Sequence, residues 1–167
     1  MVNASAVLSQ SSLFTQAWAN VYNLISSNIT NPIPEVNKFI YKREPDVKAM
    51  DFGGYPLIII FPVSIDIGDR SVSYTSGYTK LECNIELRSS DRLNGKHNGR
   101  GAEYLDLLSD SLIDLFNDVS NQNQLRQYLM ARPKIEVIDT SIIDAYSERI
   151  FVRRFRVTFD TRIVISS

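Results

Sequence analysis

Leu81-Glu-Cys-Asn-Ile-Glu-Leu-Arg88 decides the fold, together with the loop Ser89-Ser-Asp-Arg-Leu-Asn-Gly-Lys-His-Asn-Gly-Arg-Gly101 and the segment Ala102 to Val119 that follow it. In the first piece Leu81, Cys83, Ile85 and Leu87 are apolar while Lys80, Glu82, Asn84, Glu86 and Arg88 are polar. Period-two alternation of this kind predicts a strand with one buried face. In the third piece Leu105, Leu108, Leu112, Leu115 and Val119 fall on one stripe at about 100° per residue. Asp106, Asp110, Asp114 and Asp118 recur every four residues almost opposite that stripe. The stretch therefore predicts a half-buried sheet with a helix on one face, joined by an exposed glycine-rich loop over 89–101.

Elements on either side extend the pattern. Residues 1–34 contain no Asp, Glu, Lys or Arg, and Leu13, Phe14, Ala17, Trp18, Val21, Leu24 and Ile25 recur at helical spacing. This predicts an amphipathic helix with Ser11 or Ser12 as N-cap, ended by Asn31-Pro-Ile-Pro34. Its uncharged outer side admits two readings, an ordinary surface or an interface, where charge is depleted. Val36 to Arg43 reads as a first strand, and Tyr55 to Ser64 as one buried on both faces, with Pro56 and Pro62 restricting its ladder. Asp66 to Asp69 reads as a turn. Ser71 to Arg88 reads as a long strand bent near Ser76-Gly77, and these strands together as an antiparallel meander. A short helix near Asn123 to Met130, a strand Lys134 to Asp139 and a last strand Ile150 to Ile165 complete the chain. The expectation is a single α+β domain over 1–167, with helices packed on a mostly antiparallel sheet of about five strands, in the order α-β-β-β-α-α-β-β.

Composition narrows function. The net charge of −1 argues against a general basic field for nucleic acid. One cysteine excludes an internal disulfide, and Cys83 sits on the apolar side of its strand. Neither a secretory leader nor a membrane span is evident, so a soluble chain made in a cytoplasm, with no membrane partner, is expected.

Candidate chemistry is thin. His97 is the only histidine and lies in the glycine-rich loop, where little would hold its ring as a general base. Gly95, Gly99 and Gly101 match neither phosphate-loop spacing, and the loop reads better as a mobile arm. The four aspartates diverge along one helix, so one metal ion would not collect them. An acidic stripe without interleaved lysines repels itself at i,i+4 spacing, which points to a surface that meets a basic partner or repels DNA. The basic candidates are Arg88, Arg92, Lys96 and Arg100 around the loop, and Arg154, Arg156 and Arg162 on one face of the last strand. The latter three would bind phosphates, or pair with the acidic stripe of a neighbouring subunit in a head-to-tail contact. No catalytic, cofactor-binding or metal-binding residue is expected, and the chain does not read as an enzyme.

The element order, with "YPLIIIFPVSID" (55–66), "TKLECNIELRSS" (79–90), "AEYLDLLSDSLIDLF" (102–116) and "RRFRVTFDTRIVI" (153–165), resembles the tail-terminator and neck proteins of long-tailed phages and related viruses over residues 10–165. The resemblance implies a virion protein assembled in the host cytoplasm. Its partners would be copies of itself in a ring, usually a hexamer, and the tail-tube and head-connector proteins that the ring joins. Genomic DNA would pass through the channel, often acidic, without specific binding. The competing expectation is a small nucleic-acid-binding or processing protein that uses the C-terminal arginine-rich strand.

Overall fold

A computed structural model describes residues 4–33, 38–49, 52–65, 77–93, 96–127, 130–145 and 148–163. The elements in chain order are α1 (Ala4–Asn28), β1 (Ile40–Tyr41), β2 (Leu57–Ile60), β3 (Ser64–Ile65), β4 (Gly77–Ser90), β5 (Arg92–Leu93), β6 (Lys96–His97), α2 (Gly101–Asn117), α3 (Val119–Gln127), β7 (Ala131–Ala145) and β8 (Glu148–Ile163). The fold is α+β. One sheet runs β1-β2-β4-β8-β7, with β3 also paired to β4. The expected order holds, with the short β3 and the β5–β6 pair added to it.

β4 and β8 form the spine of the sheet. They pair antiparallel along the whole of β4, from Gly77 opposite Ile163 to Ser90 opposite Ile150. The alternation in the sequence assigns their faces. Leu81, Cys83, Ile85 and Leu87 on β4 and Phe155, Val157 and Phe159 on β8 lie in one core with Ile58 and Ile60. Leu105, Leu108, Leu112, Leu115 and Phe116 of α2 and Val21, Leu24 and Ile25 of α1 close over that face. Each fully buried Leu or Ile contributes roughly 1.5–3 kcal/mol relative to exposure, so this layer supplies most of the drive to fold. A second cluster on the other face joins Tyr41, Tyr55, Leu57, Ile59, Ile150 and Val152. β2 is therefore buried on both faces, as its unbroken apolar run predicted. It stops at Ile60, and β3 resumes pairing beyond Pro62, which has no N–H to donate.

Several expectations are corrected. β1 and β2 are parallel, so the first strands do not form an antiparallel meander. The chain from 42 to 56 is long enough for a crossover connection, and it carries Phe52 and Tyr55 onto the second cluster. β1 is confined to Ile40–Tyr41. α1 begins at Ala4, so Ser11 and Ser12 are inside the helix rather than capping it; no Gly or Pro occurs between them and its start to interrupt it. The short helix comes earlier than expected, over Val119–Gln127, so Val119 does not end the buried stripe of α2: it opens α3 past the break at Asp118 and is 69% exposed. β7 extends through Ala145 because the whole of it has β8 to pair with. The turn at 66–69, Ser71 to Ser76, Val36, Asn37 and Ile165 lie outside the described residues.

Candidate functional site

The loop over 89–101 is closed rather than open. Ser89 and Ser90 are buried and belong to β4, and Arg92–Leu93 pairs antiparallel with Lys96–His97. The Asp91 carbonyl accepts hydrogen bonds from the Asn98 and Gly99 N–H groups at 2.7 and 3.2 Å. Its carboxylate accepts from the Gly101 N–H at 3.0 Å, tying the loop to the start of α2. Gly99 needs its positive φ of 68° to make this return. Gly101 packs against the ring of Phe151, where a Cβ would lie only 2.7 Å from ring carbons. The expected arm is thus a small hairpin, because polar loop residues satisfied their own backbone.

Four of the arginines expected to meet partners, Arg88, Arg100, Arg154 and Arg156, are engaged within their own chain. Arg88 donates to Glu86 and, through both terminal nitrogens, to Glu44. Burial pushes the Arg88 pKa down, but the hydrogen bonds it donates to Glu44 and Glu86 outweigh that and the net shift is upward. Arg154 Nε donates to Glu86 at 2.9 Å and its Nη1 to Asp139 at 3.0 Å. The Glu86 hydrogen bond is the main reason its pKa is raised. Arg156 Nη1 lies 3.7 Å from Glu136, and Nε lies 3.2 Å from Glu82, off the line of a hydrogen bond. Arg100 pairs with Glu103, whose carboxyl is held below its usual range by that hydrogen bond. Arg92 is exposed. The side chains of Lys96, His97 and Arg162 lie outside the described residues, although Arg162 is opposite Tyr78 in the ladder.

These groups make a ladder across three strands on the sheet face away from the helices. Glu86 is its hinge point, 5% exposed and held by two arginines. A groove of about 430 Å³ lined by Phe61, Asn84, Glu86, Ile138, Arg154 and Arg156 runs along it. Four carboxylates, Glu82, Glu86, Glu136 and Asp139, surround Arg154 and Arg156. The face is therefore close to neutral or acidic and does not offer an array of cations for phosphates.

The acidic stripe also divides. Arg153 Nη1 donates to Asp106 at 2.9 Å and to Ser109 at 2.8 Å. Asp118 does not continue α2. It stands at the break between the two helices, and its carboxylate accepts from the Asn121 N–H at 3.0 Å, capping α3. Asp110 and Asp114 remain on the exposed side of α2. Among the described residues, no group of three or more His, Cys, Asp or Glu converges as a metal site. Cys83 is buried, and burial followed by the Glu82 charge pushes its thiol up to about 12, so it is not a nucleophile.

Two surfaces escaped the sequence reading. At the β1 flank, Lys42 lies 4.8 Å over Tyr22 and 5.2 Å over Trp18, which stack on each other. A hollow of about 470 Å³ opens there, lined by Tyr22, Ile40, Tyr41, Lys42, Arg43 and Phe52 among others. At the opposite flank β7 exposes Val137 (50%), Ile138 (43%), Ile142 (59%) and Ile143 (40%). The signal for the second was the run Ser141-Ile-Ile-Asp144, too short to read as a strand without its partner. Compared with protein-family models and with curated proteins, the chain has no match.

Proposed function

We propose that this chain is a structural virion protein, a tail terminator or neck subunit. It would form a ring, a hexamer by the family resemblance, that caps the tail tube and joins it to the head connector around the DNA channel. The observation that carries the reading is the contrast between engaged and exposed charge. Arg88, Arg100, Arg153, Arg154 and Arg156 are matched by carboxylates of their own chain. Asp110 and Asp114 instead stand exposed on α2, with no basic residue between Glu103 and Ser120. A channel that lets DNA slide needs a surface that repels phosphate and does not grip it. Such a subunit works by shape and contact, through an interface rather than a reaction centre. No helix among the described residues is long and apolar enough to cross a membrane.

Size-exclusion chromatography with light scattering, followed by negative-stain microscopy, tests this reading. The expected result is a closed ring with a central hole. A chain that stays monomeric, alone and with tail-tube or connector proteins present, overturns it. The nucleic-acid-binding alternative predicts a salt-sensitive gel shift by the isolated subunit. The arginine ladder argues against that shift, and observing it would reverse the preference.

A further inference from the structure

The most unusual surface is the free flank of β7. Four of the six large apolar side chains exposed among the described residues belong to this one strand. β7 is the last strand of the sheet, and none of the described strands pairs with its outer side. Its first half carries the features that blunt an edge: Pro133, and register shifts near Pro133 and Ile138. Its second half, Thr140 to Ala145, runs in regular register with β8 and has neither. Ile142 and Ile143 point to opposite faces there, so the bare edge is apolar above and below. An exposed apolar edge of this length in a stable chain marks a docking surface.

Charge identifies the occupant. Residues 135–145 carry Glu136, Asp139 and Asp144 and no base, and since Glu136 and Asp139 already face Arg156 and Arg154 of β8, Asp144 is the acid beside the bare edge. The opposite flank, 38–48, carries Lys38, Lys42, Arg43 and Lys48 against Glu44 and Asp46, and Glu44 is already held by Arg88. That basic flank also has the aromatic hollow formed by Tyr22, Ile40 and Phe52. One molecule therefore presents apolar knobs beside Asp144 on one side and, on the other, a hollow whose rim carries more base (Lys38, Lys42, Arg43) than acid (Glu44, Asp46).

We propose that the β7 flank of one copy, through Ile142, Ile143 and Asp144, docks on the β1 flank of a second copy, at Lys42, Arg43 and the hollow beside them. The contact is heterologous, so it repeats from copy to copy and closes into a ring where the rotation permits. β1 spans only two residues, so side-chain burial and charge carry the join more than a continuous backbone ladder. The proposal rests on the reading of the chain as an assembling subunit and adds which surfaces meet.

Cysteine trapping in the full chain tests it. Lys42→Cys combined with Ile143→Cys on one chain is expected to give a ladder of disulfide-linked species under mild oxidation, while the buried Cys83 stays out of the reaction. Ile142→Asp with Ile143→Asp is expected to weaken assembly at least 100-fold. Circular dichroism and a cooperative unfolding transition confirm that this variant folds. Lys42→Glu with Arg43→Glu is expected to weaken assembly about 10-fold, with partial rescue by Asp144→Lys. A dimer trapped by Ile143→Cys alone means that β7 pairs with itself and overturns the proposal. A wild-type oligomer that survives the Ile142/Ile143 variant untrapped also overturns it, while leaving the assembly reading in place. Trapped ladders that extend into open fibres keep the contact and remove the ring instead.

Discussion

Glu86 shows how a residue read correctly by period is misjudged by environment. Alternation places it on the polar face of β4, where a solvated side chain is the simplest expectation. The structure leaves it 5% exposed because Arg88 and Arg154 reach over it from the same strand and the next. Nothing local to residues 80–90 announces that cover, since Arg154 lies 68 residues away. Replacing Glu86 with Gln removes the charge that both guanidinium groups use. Arg154 is 40% exposed, so water screens part of the loss, and we expect a destabilisation of about 2 kcal/mol in urea unfolding. Cys83 was legible in full, because an apolar strand position is also a buried one. Its thiol, pushed up to about 12 by burial, stays protonated through neutral and mildly alkaline pH. Maleimide at pH 8 is expected to label it only after denaturant is added, and prompt labelling of the native chain contradicts the burial assigned to it.

At the scale of elements, the helical stripe over 102–119 looked continuous because a capping residue happened to be the fourth aspartate. Asp106 is held by Arg153, Asp110 and Asp114 are exposed, and Asp118 caps α3. The three environments separate on mutation. Asp118→Ala removes an N-cap and is expected to lower stability by about 1 kcal/mol. Asp114→Asn relieves like-charge neighbours one turn away and is expected to change stability by less than about 0.5 kcal/mol, towards greater stability. Thermal unfolding of the two variants side by side checks this. Equal losses at both positions would restore the uninterrupted stripe. The hairpin within 89–101 was hidden for a related reason. Glycine and short polar residues signal a turn without saying which backbone groups it satisfies, and only the meeting of Asp91 with Asn98, Gly99 and Gly101 shows that it closes.

For the whole molecule, the two flanks of the sheet give the chain a polarity that its net charge of −1 conceals. If copies meet flank to flank, charge steers the encounter and Ile142 and Ile143 hold it. Raising ionic strength from about 0.1 to 1 M shortens the screening length from about 10 to 3 Å. Assembly is then expected to slow while the assembled ring persists, as apolar burial is not screened. Stopped-flow light scattering across that salt range reads both effects, and a ring that dissociates completely at high salt would assign the contact to charge alone.

The sequence by itself determined the α+β class, the order of the elements, the double burial of β2, the buried face of β4 and the leucine stripe of α2, though not the burial of Tyr104 and Phe116 beside it. Those features follow from periods of two and 3.6 residues, which are local properties of a chain. Only the tertiary structure decided that β1 runs parallel to β2, that β7 is a long exposed edge, and that Arg153, Arg154 and Arg156 of β8 are matched within their own chain. Each depends on which strands lie side by side, and residues far apart in sequence settle that together when they bury a common face. The stretch from Leu81 to Val119 therefore specified what packs, and the neighbours brought to it by folding specified what remains exposed for a partner.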